Sequence, residues 1–219
     1  MDKLRLRFRK IKRAVYISHL DLMHTFQRAF SRAGYELKYS EGYNPHPQIS
    51  IALPLSVGVS SLCEIMDFKM KEDVDLNKLP DRLNSVMPEG IEVIEAYEAQ
   101  NKVKGLKWLE ISGMFDYDNR DPETMKPALD DFYSQDEIVI SKKTKRGIGE
   151  TDIRPSVRNI DFKAVPGGVE LHAMISAQEP TLNPELLADA LRQKKPEIAP
   201  DFAEFVRIET FSADGDIFR

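Results

Sequence analysis

Lys3-Leu4-Arg5-Leu6-Arg7-Phe8-Arg9 alternates without a break. Period two reads as a strand, with Leu4, Leu6 and Phe8 on a buried face and four cations on the other. Like charges so close repel one another unless water or an anion screens them. The outer face is therefore either a solvated sheet surface or a platform for phosphates, since contacts to a nucleic-acid backbone come largely from Arg and Lys. Lys10, Lys12 and Arg13 extend the basic run.

The next segment changes period. Ser18-His19-Leu20-Asp21 is a capping pattern, with Ser18 at the N-cap and Asp21 in the first turn. Leu22, Met23, Phe26, Ala29, Phe30 and Ala33 then form the apolar stripe of a helix that Gly34 ends. His24, Arg28 and Arg32 recur every four residues as a polar ridge on the opposite face. His19 falls in the first turn, where it either hydrogen-bonds nearby backbone or acts in acid–base chemistry. Leu37 and Tyr39 start a short strand, and Tyr39-Ser40-Glu41-Gly42-Tyr43-Asn44-Pro45-His46-Pro47 follows. Two prolines stiffen this loop, so Tyr43 and His46 have little entropy left to lose on binding a base or another ligand.

Residues 49–55 and 61–70 read as strands, Leu76, Leu79, Leu83 and Val86 as a helical stripe, and Ile91, Val93 and Ile94 as another strand. Strand, helix, strand, strand, helix, strand is the ferredoxin-like order. The pattern then repeats. Strand 108–115, a helix after Pro122, strands at 138–140, 157–165 and 169–176, a helix after Asn183-Pro184, and strand 205–211 follow in turn. The expected architecture is α+β: two tandem ferredoxin-like (βαββαβ) modules with antiparallel sheets, residues 1–102 and 103–219. Inside the second lies a basic loop, residues 141–158, with Lys142, Lys143, Lys145, Arg146, Arg154 and Arg158 against Glu150 and Asp152. Such a stretch is either a solvated connection or a clamp on a polyanion.

Charge is distributed unevenly. The chain carries −5 overall, yet residues 1–50 hold ten Lys and Arg against four Asp and Glu. A basic start on an acidic body hints at a contact surface for a polyanion. The single cysteine, Cys63, excludes an intrachain disulfide and a Cys-rich metal site, and suits a reducing cytoplasm. No apolar run approaches a membrane span, and the basic N-terminus lacks the apolar stretch of a secretory signal. His19, His24 and His46 with Asp21 or Glu41 match no established zinc spacing, so no metal is expected. Phosphate-loop, dinucleotide and nucleophile-elbow motifs are lacking, and no catalytic residue stands out. His19 and His46 are the candidates for an acid–base role in metal-independent RNA cleavage.

Tyr16-Ile17-Ser18-His19-Leu20-Asp21-Leu22-Met23, the 39–47 loop and Ala52-Leu53-Pro54-Leu55-Ser56-Val57-Gly58 closely resemble the radical-SAM-linked bacterial proteins. Lys143-Thr144-Lys145-Arg146-Gly147, Asp152-Ile153-Arg154-Pro155 and Asn183-Pro184-Glu185-Leu186-Leu187 are similar to that family's later motifs, so the likeness spans most of the chain. The sequence departs from it at His24, where relatives are expected to carry Arg. The resemblance implies a radical S-adenosylmethionine enzyme as partner, encoded beside or fused to such proteins. The iron–sulfur cluster and S-adenosylmethionine would belong to that partner, with no cofactor on this chain. Together these readings predict a cytoplasmic, non-catalytic RNA-binding accessory protein, with no DNA or membrane partner. Arg5, Arg7, Arg9, Lys142, Lys143, Lys145, Arg146, Arg154 and Arg158 would hold phosphates, Tyr43 and His46 a base or ribose, and Arg28 and Arg32 would border that pocket. The alternatives are the RNA-processing enzyme and a purely protein-binding adaptor.

Overall fold

Alternation and helical periodicity are realised as antiparallel sheets covered by helices. The computed structural model describes residues 4–144 and 147–219, and its described residues form ten strands and four α-helices. Two compact units divide the chain, one running to Gly105 and taking in Arg219, the other Leu106–Phe218.

In the first unit, β1 (Leu4–Lys10) leads through a short 3-10 turn into α1 (His19–Arg32). β2 (Ile49–Ile51), β3 (Ser60–Phe68), α2 (Leu79–Asn84) and β4 (Ile91–Glu98) follow. β1 lies between β3 and β4, and β2 pairs with β3, so the antiparallel order is β4-β1-β3-β2. Leu6 and Phe8 point from β1 into a core with Phe26, Phe30, Met66, Phe68, Leu79 and Leu83. Phe8 meets Phe26 edge to face, ring centres 4.7 Å apart. Each such side chain removed from water stabilises the fold by roughly 2 kcal/mol before chain entropy is set against it. Ser18 caps α1 by accepting from the Asp21 amide, and Gly34 ends the helix with φ +83°. Asn84 clamps α2 to the sheet, its side chain bonding both the N–H and the C=O of Val93 at 2.8 Å.

The second unit runs β5 (Leu106–Asp116), α3 (Pro122–Tyr133), β6 (Val139–Thr144), β7 (Gly147–Asp152), β8 (Val157–Val165), β9 (Gly168–Ser176), α4 (Glu185–Lys194) and β10 (Phe202–Ser212). Its main sheet has the antiparallel order β10-β5-β9-β8. If β6 and β7 are set aside, this order places first, second, third and fourth strands as in the first unit. The Tyr133 hydroxyl donates to the Leu187 carbonyl at 2.6 Å and so ties α3 to α4.

Two expectations are corrected. The strand read over 49–55 stops at Ile51, because Pro54 has no N–H for a ladder. The basic segment 141–158 is not a loop over its length. Val139–Thr144 and Gly147–Asp152 pair as a two-stranded hairpin, a 3-10 turn covers Arg154–Ser156, and β8 starts at Val157.

Candidate functional site

The 39–47 loop is built as a short, clamped hairpin. Tyr39 faces Pro47 across an antiparallel bridge. The Ser40 amide donates to the His46 carbonyl at 2.9 Å, and the Gln48 amide donates to the Lys38 carbonyl at 2.8 Å. Ser40 Oγ accepts from the His46 amide at 3.1 Å and also lies 3.0 Å from His46 Nδ1. That second bond holds the imidazole by Nδ1 while the residue stays exposed. At the tip Tyr43 is completely exposed, at 104% of its reference area. A closed base and two prolines limit the backbone freedom of the loop, and the Tyr43 ring stands in water as a stacking surface.

Two recesses flank the loop. One, of about 260 Å³, is lined by His46, Gln48, Ser50, Asp67 and Lys69. The other is a groove of about 480 Å³ between α1 and the extended chain that precedes the loop. Phe30 and Leu37 line it beside Tyr35 and Tyr39, with Gln27, Ser31 and Lys38 adding polar groups. Tyr16, Leu20 and Val57 are further exposed apolar side chains of this unit. The Gly58 amide donates to the Val15 carbonyl at 2.9 Å, which brings the 53–58 segment beside the residues leading into α1.

The basic strand face is largely neutralised within its own unit. Arg5 is fully buried: Nε donates to Asp67 Oδ1 at 2.6 Å and Nη2 to Oδ2 at 3.2 Å and to the Asn101 carbonyl at 3.0 Å. The expectation that Arg5 contacts phosphate fails on this burial. Arg9 lies 3.3 Å from Glu92, and Arg7 is half-buried. Lys10 ends β1 on the inner face, where alternation from Leu6 and Phe8 carries it. Nζ donates to the Val15 carbonyl at 3.1 Å, and burial lowers its pKa against the opposing pull of Glu64. Lys12 pairs with Glu89 at 2.8 Å.

Of the α1 ridge, Arg28 is exposed and makes no ion pair among the described residues. Arg32 donates to the Val86 carbonyl at 2.8 Å. His24 is exposed beside them, and His19 is half-buried at the start of the helix. In the second unit, Lys142 and Lys143 lie on β6, whereas Lys145 and Arg146 lie outside the described residues. Arg154 serves the fold, donating to the Gln135 and Val157 carbonyls at 3.1 and 2.6 Å. Arg158 lies over the Trp108 ring at 5.8 Å. The structure thus keeps Tyr43 and His46 together on one loop, leaves Arg28 accessible, and withdraws Arg5 and Arg154 into structural work.

Sequence reasoning missed the groove and the Arg5–Asp67 pair. Asp67, a carboxylate between Met66 and Phe68 in a strand, was the one available signal, but strand pairing was not assigned from the sequence. The groove left no signal in residue types. Among the described residues no three His, Cys, Asp or Glu side chains gather as metal ligands, and no helix is long and apolar enough to cross a membrane.

Comparison with solved structures gives a likeness of fold. A chain in a crystal structure of a Cbf5-Nop10-Gar1 complex matches with a TM-score of 0.53 at 10% identity, covering 94% of this chain and 48% of that one. This protein therefore spans about half the length of that neighbour. An unknown protein from Galdieria sulphuraria aligns over 94% of this chain and 98% of its own at 11% identity, but its TM-score of 0.27 is too low to indicate a shared fold. No curated protein matches. A family model described as "uncharacterized protein conserved in bacteria" matches residues 3–184, most of the chain, and the protein belongs to that family (DUF2344).

Proposed function

We propose that this protein is a non-catalytic RNA-binding accessory that works with a radical S-adenosylmethionine enzyme in RNA modification. The enzyme partnership rests on the motif resemblance set out above. The RNA contact rests on one observation, the fully exposed Tyr43 on a loop clamped by Ser40 and His46. Both units are read as ferredoxin-like modules, the first carrying this tip and the second the basic hairpin. Tyr43 stacks on an unpaired base, His46 Nε2 reaches a base edge or ribose, and Arg28 holds a neighbouring phosphate. In the second unit, Lys142 is a separate candidate for a phosphate contact. Arg5, buried against Asp67, has no part in it.

The test is titration of the full-length protein into labelled, structured bacterial RNA at several salt concentrations. Tyr43→Ala should weaken binding by about tenfold, in line with roughly 1–3 kcal/mol per stacked base. Arg28→Ala should lower the salt slope by about 0.7–0.9. RNA affinity that stays unmeasurable at low salt would sink the proposal. Incubating His46→Ala and the parent with RNA addresses the nuclease alternative: identical, intact RNA in both removes it.

A second reading, a protein adaptor, draws support from the neutralised cations of β1 and from exposed Tyr16, Leu20 and Val57. Under it Tyr43→Ala breaks a pull-down with the radical enzyme, and Arg28→Glu leaves that pull-down intact.

A further inference from the structure

The chain between α1 and the Tyr43 tip runs extended, and its main-chain ladder bonds all lie on one side. The Glu36 carbonyl accepts from the Lys71 amide at 3.0 Å, and the Lys38 amide donates to Lys69 at 2.8 Å. The Lys38 carbonyl accepts from Gln48, and the Ser40 amide donates to His46. Even-numbered residues thus join the sheet. Leu37 and Tyr39 form bridges with Met70 and Pro47 in which their own main-chain groups take no part. Along a strand, main-chain groups alternate sides, so those of Leu37 and Tyr39 face away from the sheet. The Leu37 N–H and C=O and the Tyr39 N–H have no partner among the described residues, whereas the Tyr39 carbonyl accepts from Gln48 Nε2 at 3.0 Å. This is a strand edge without a partner strand; the Leu37 side chain lies in the core and the residue is 8% exposed, Tyr39 is 54% exposed, and both line the 480 Å³ groove against α1.

We propose that the groove takes an extended segment of a partner protein, which adds to residues 36–39 as a further strand. An open edge lying beside a helix, with a recess between them, is the geometry of strand addition: main-chain bonds give affinity and alternate side chains give selectivity. The partner's central residue exchanges both main-chain bonds with Leu37, and a carbonyl two residues away accepts from Tyr39. Side chains on the helix side meet Phe30, Tyr35 and Tyr39, so that face of the segment is apolar. On the opposite face, Glu36 is already satisfied by Lys71 at 2.6 Å, which leaves exposed Lys38 to select a carboxylate. The occupant is therefore an extended stretch in which apolar and acidic residues alternate. This surface is separate from the Tyr43 tip, so it stands or falls independently of RNA binding.

The experiment is selection of linear peptides from a phage-displayed random library on the full-length protein. Binding of the selected synthetic peptides is then followed on the ¹⁵N-labelled chain. The Leu37 and Tyr39 amides should become slow to exchange when peptide is added, and the enriched peptides should alternate apolar and acidic residues. Tyr39→Pro removes the outward N–H without costing an internal hydrogen bond, and should weaken binding by about tenfold or more. Lys38→Glu should shift the selected pattern away from acidic residues. If Tyr39→Pro does not fold, amide protection in the parent protein decides the matter alone. The proposal is overturned if no peptide is enriched or if peptides bind without protecting these two amides. It is equally overturned if the amides become protected on raising the concentration of the protein by itself, which would make a second copy the occupant.

Discussion

Replacing Asp67 by Ala should destabilise the first unit by about 3 kcal/mol, as expected when one partner of a buried ion pair is removed. The structure sets the size of the effect. Arg5 has no solvent exposure and gives Asp67 two bonds, at 2.6 and 3.2 Å. The truncated variant must therefore hold an uncompensated guanidinium charge in the interior. The remaining bond to the Asn101 carbonyl keeps the loss below the upper end of the usual range. Urea unfolding followed by circular dichroism measures it, with the midpoint falling by about 2 M or more for a unit of this size. The double variant Arg5→Met with Asp67→Leu should recover most of the loss, because two apolar groups of similar volume need no mutual neutralisation. Its RNA affinity should equal that of the parent. An Asp67→Ala variant within about 0.5 kcal/mol of the parent would refute the reasoning, as would a double variant that folds well but loses RNA.

Three further outcomes follow from local geometry. Gly90→Ala should cost about 3 kcal/mol in urea unfolding, because φ is +90° there and a new Cβ would fall onto the Ile11 carbonyl oxygen and within 2.9 Å of Ala14 Cβ. Ser18→Ala should cost about 1 kcal/mol by leaving the Asp21 amide uncapped, with the lost helix signal confined to the start of α1 in amide exchange. In the second unit, burial pushes the Tyr117 hydroxyl up to about 12 while it donates to the Ile198 carbonyl at 2.9 Å. Its contribution is complete below the unfolded value near 10 and is lost as pH rises through 12, roughly 2 kcal/mol in all. Tyr117→Phe should flatten thermal stability against pH across that window, and an unchanged slope would count against the assignment.

The helical part of the fold was open to reading because its signals are local. Ser18, Asp21 and the stripe from Leu22 to Phe30 bounded α1 correctly, since a cap and an apolar face are both written within one element. The arginine strand was harder. Alternation showed that Leu6 and Phe8 face the core, but it is silent on whether the other face meets water, and Arg5 meets Asp67. The same alternation, carried one residue further, would have turned Lys10 inward. The hairpin within 141–158 was hidden by its cations and glycines, which resemble a loop until Val139 is seen paired with Asp152 and Thr144 with Gly147. For the candidate site, Tyr43 and His46 stood out by residue type. The groove did not, because its defining feature is the direction of the Leu37 and Tyr39 main-chain groups, and any side chain could occupy those positions.

These placements change how the charge of the chain should be understood. The basic first 50 residues suggested a broad electrostatic platform, yet Arg5, Arg9 and Lys12 are matched to Asp67, Glu92 and Glu89, all supplied by the same unit. Surface pairs such as Lys12–Glu89 contribute little to stability, but they cancel the local field that would draw in a polyanion from a distance. On the proposed function, recognition therefore draws less on a long-range field than on short-range contacts: the Tyr43 ring and the His46 imidazole for RNA, and the strand edge at Leu37 and Tyr39 for a protein segment. All three lie within ten residues of one another, braced by the same ladder between residues 36–40, 46–48 and 69–71. Because the loop base is already closed by Ser40 and His46, a peptide seated at the edge should leave any RNA affinity of the Tyr43 tip unchanged within about twofold, as expected for independent sites.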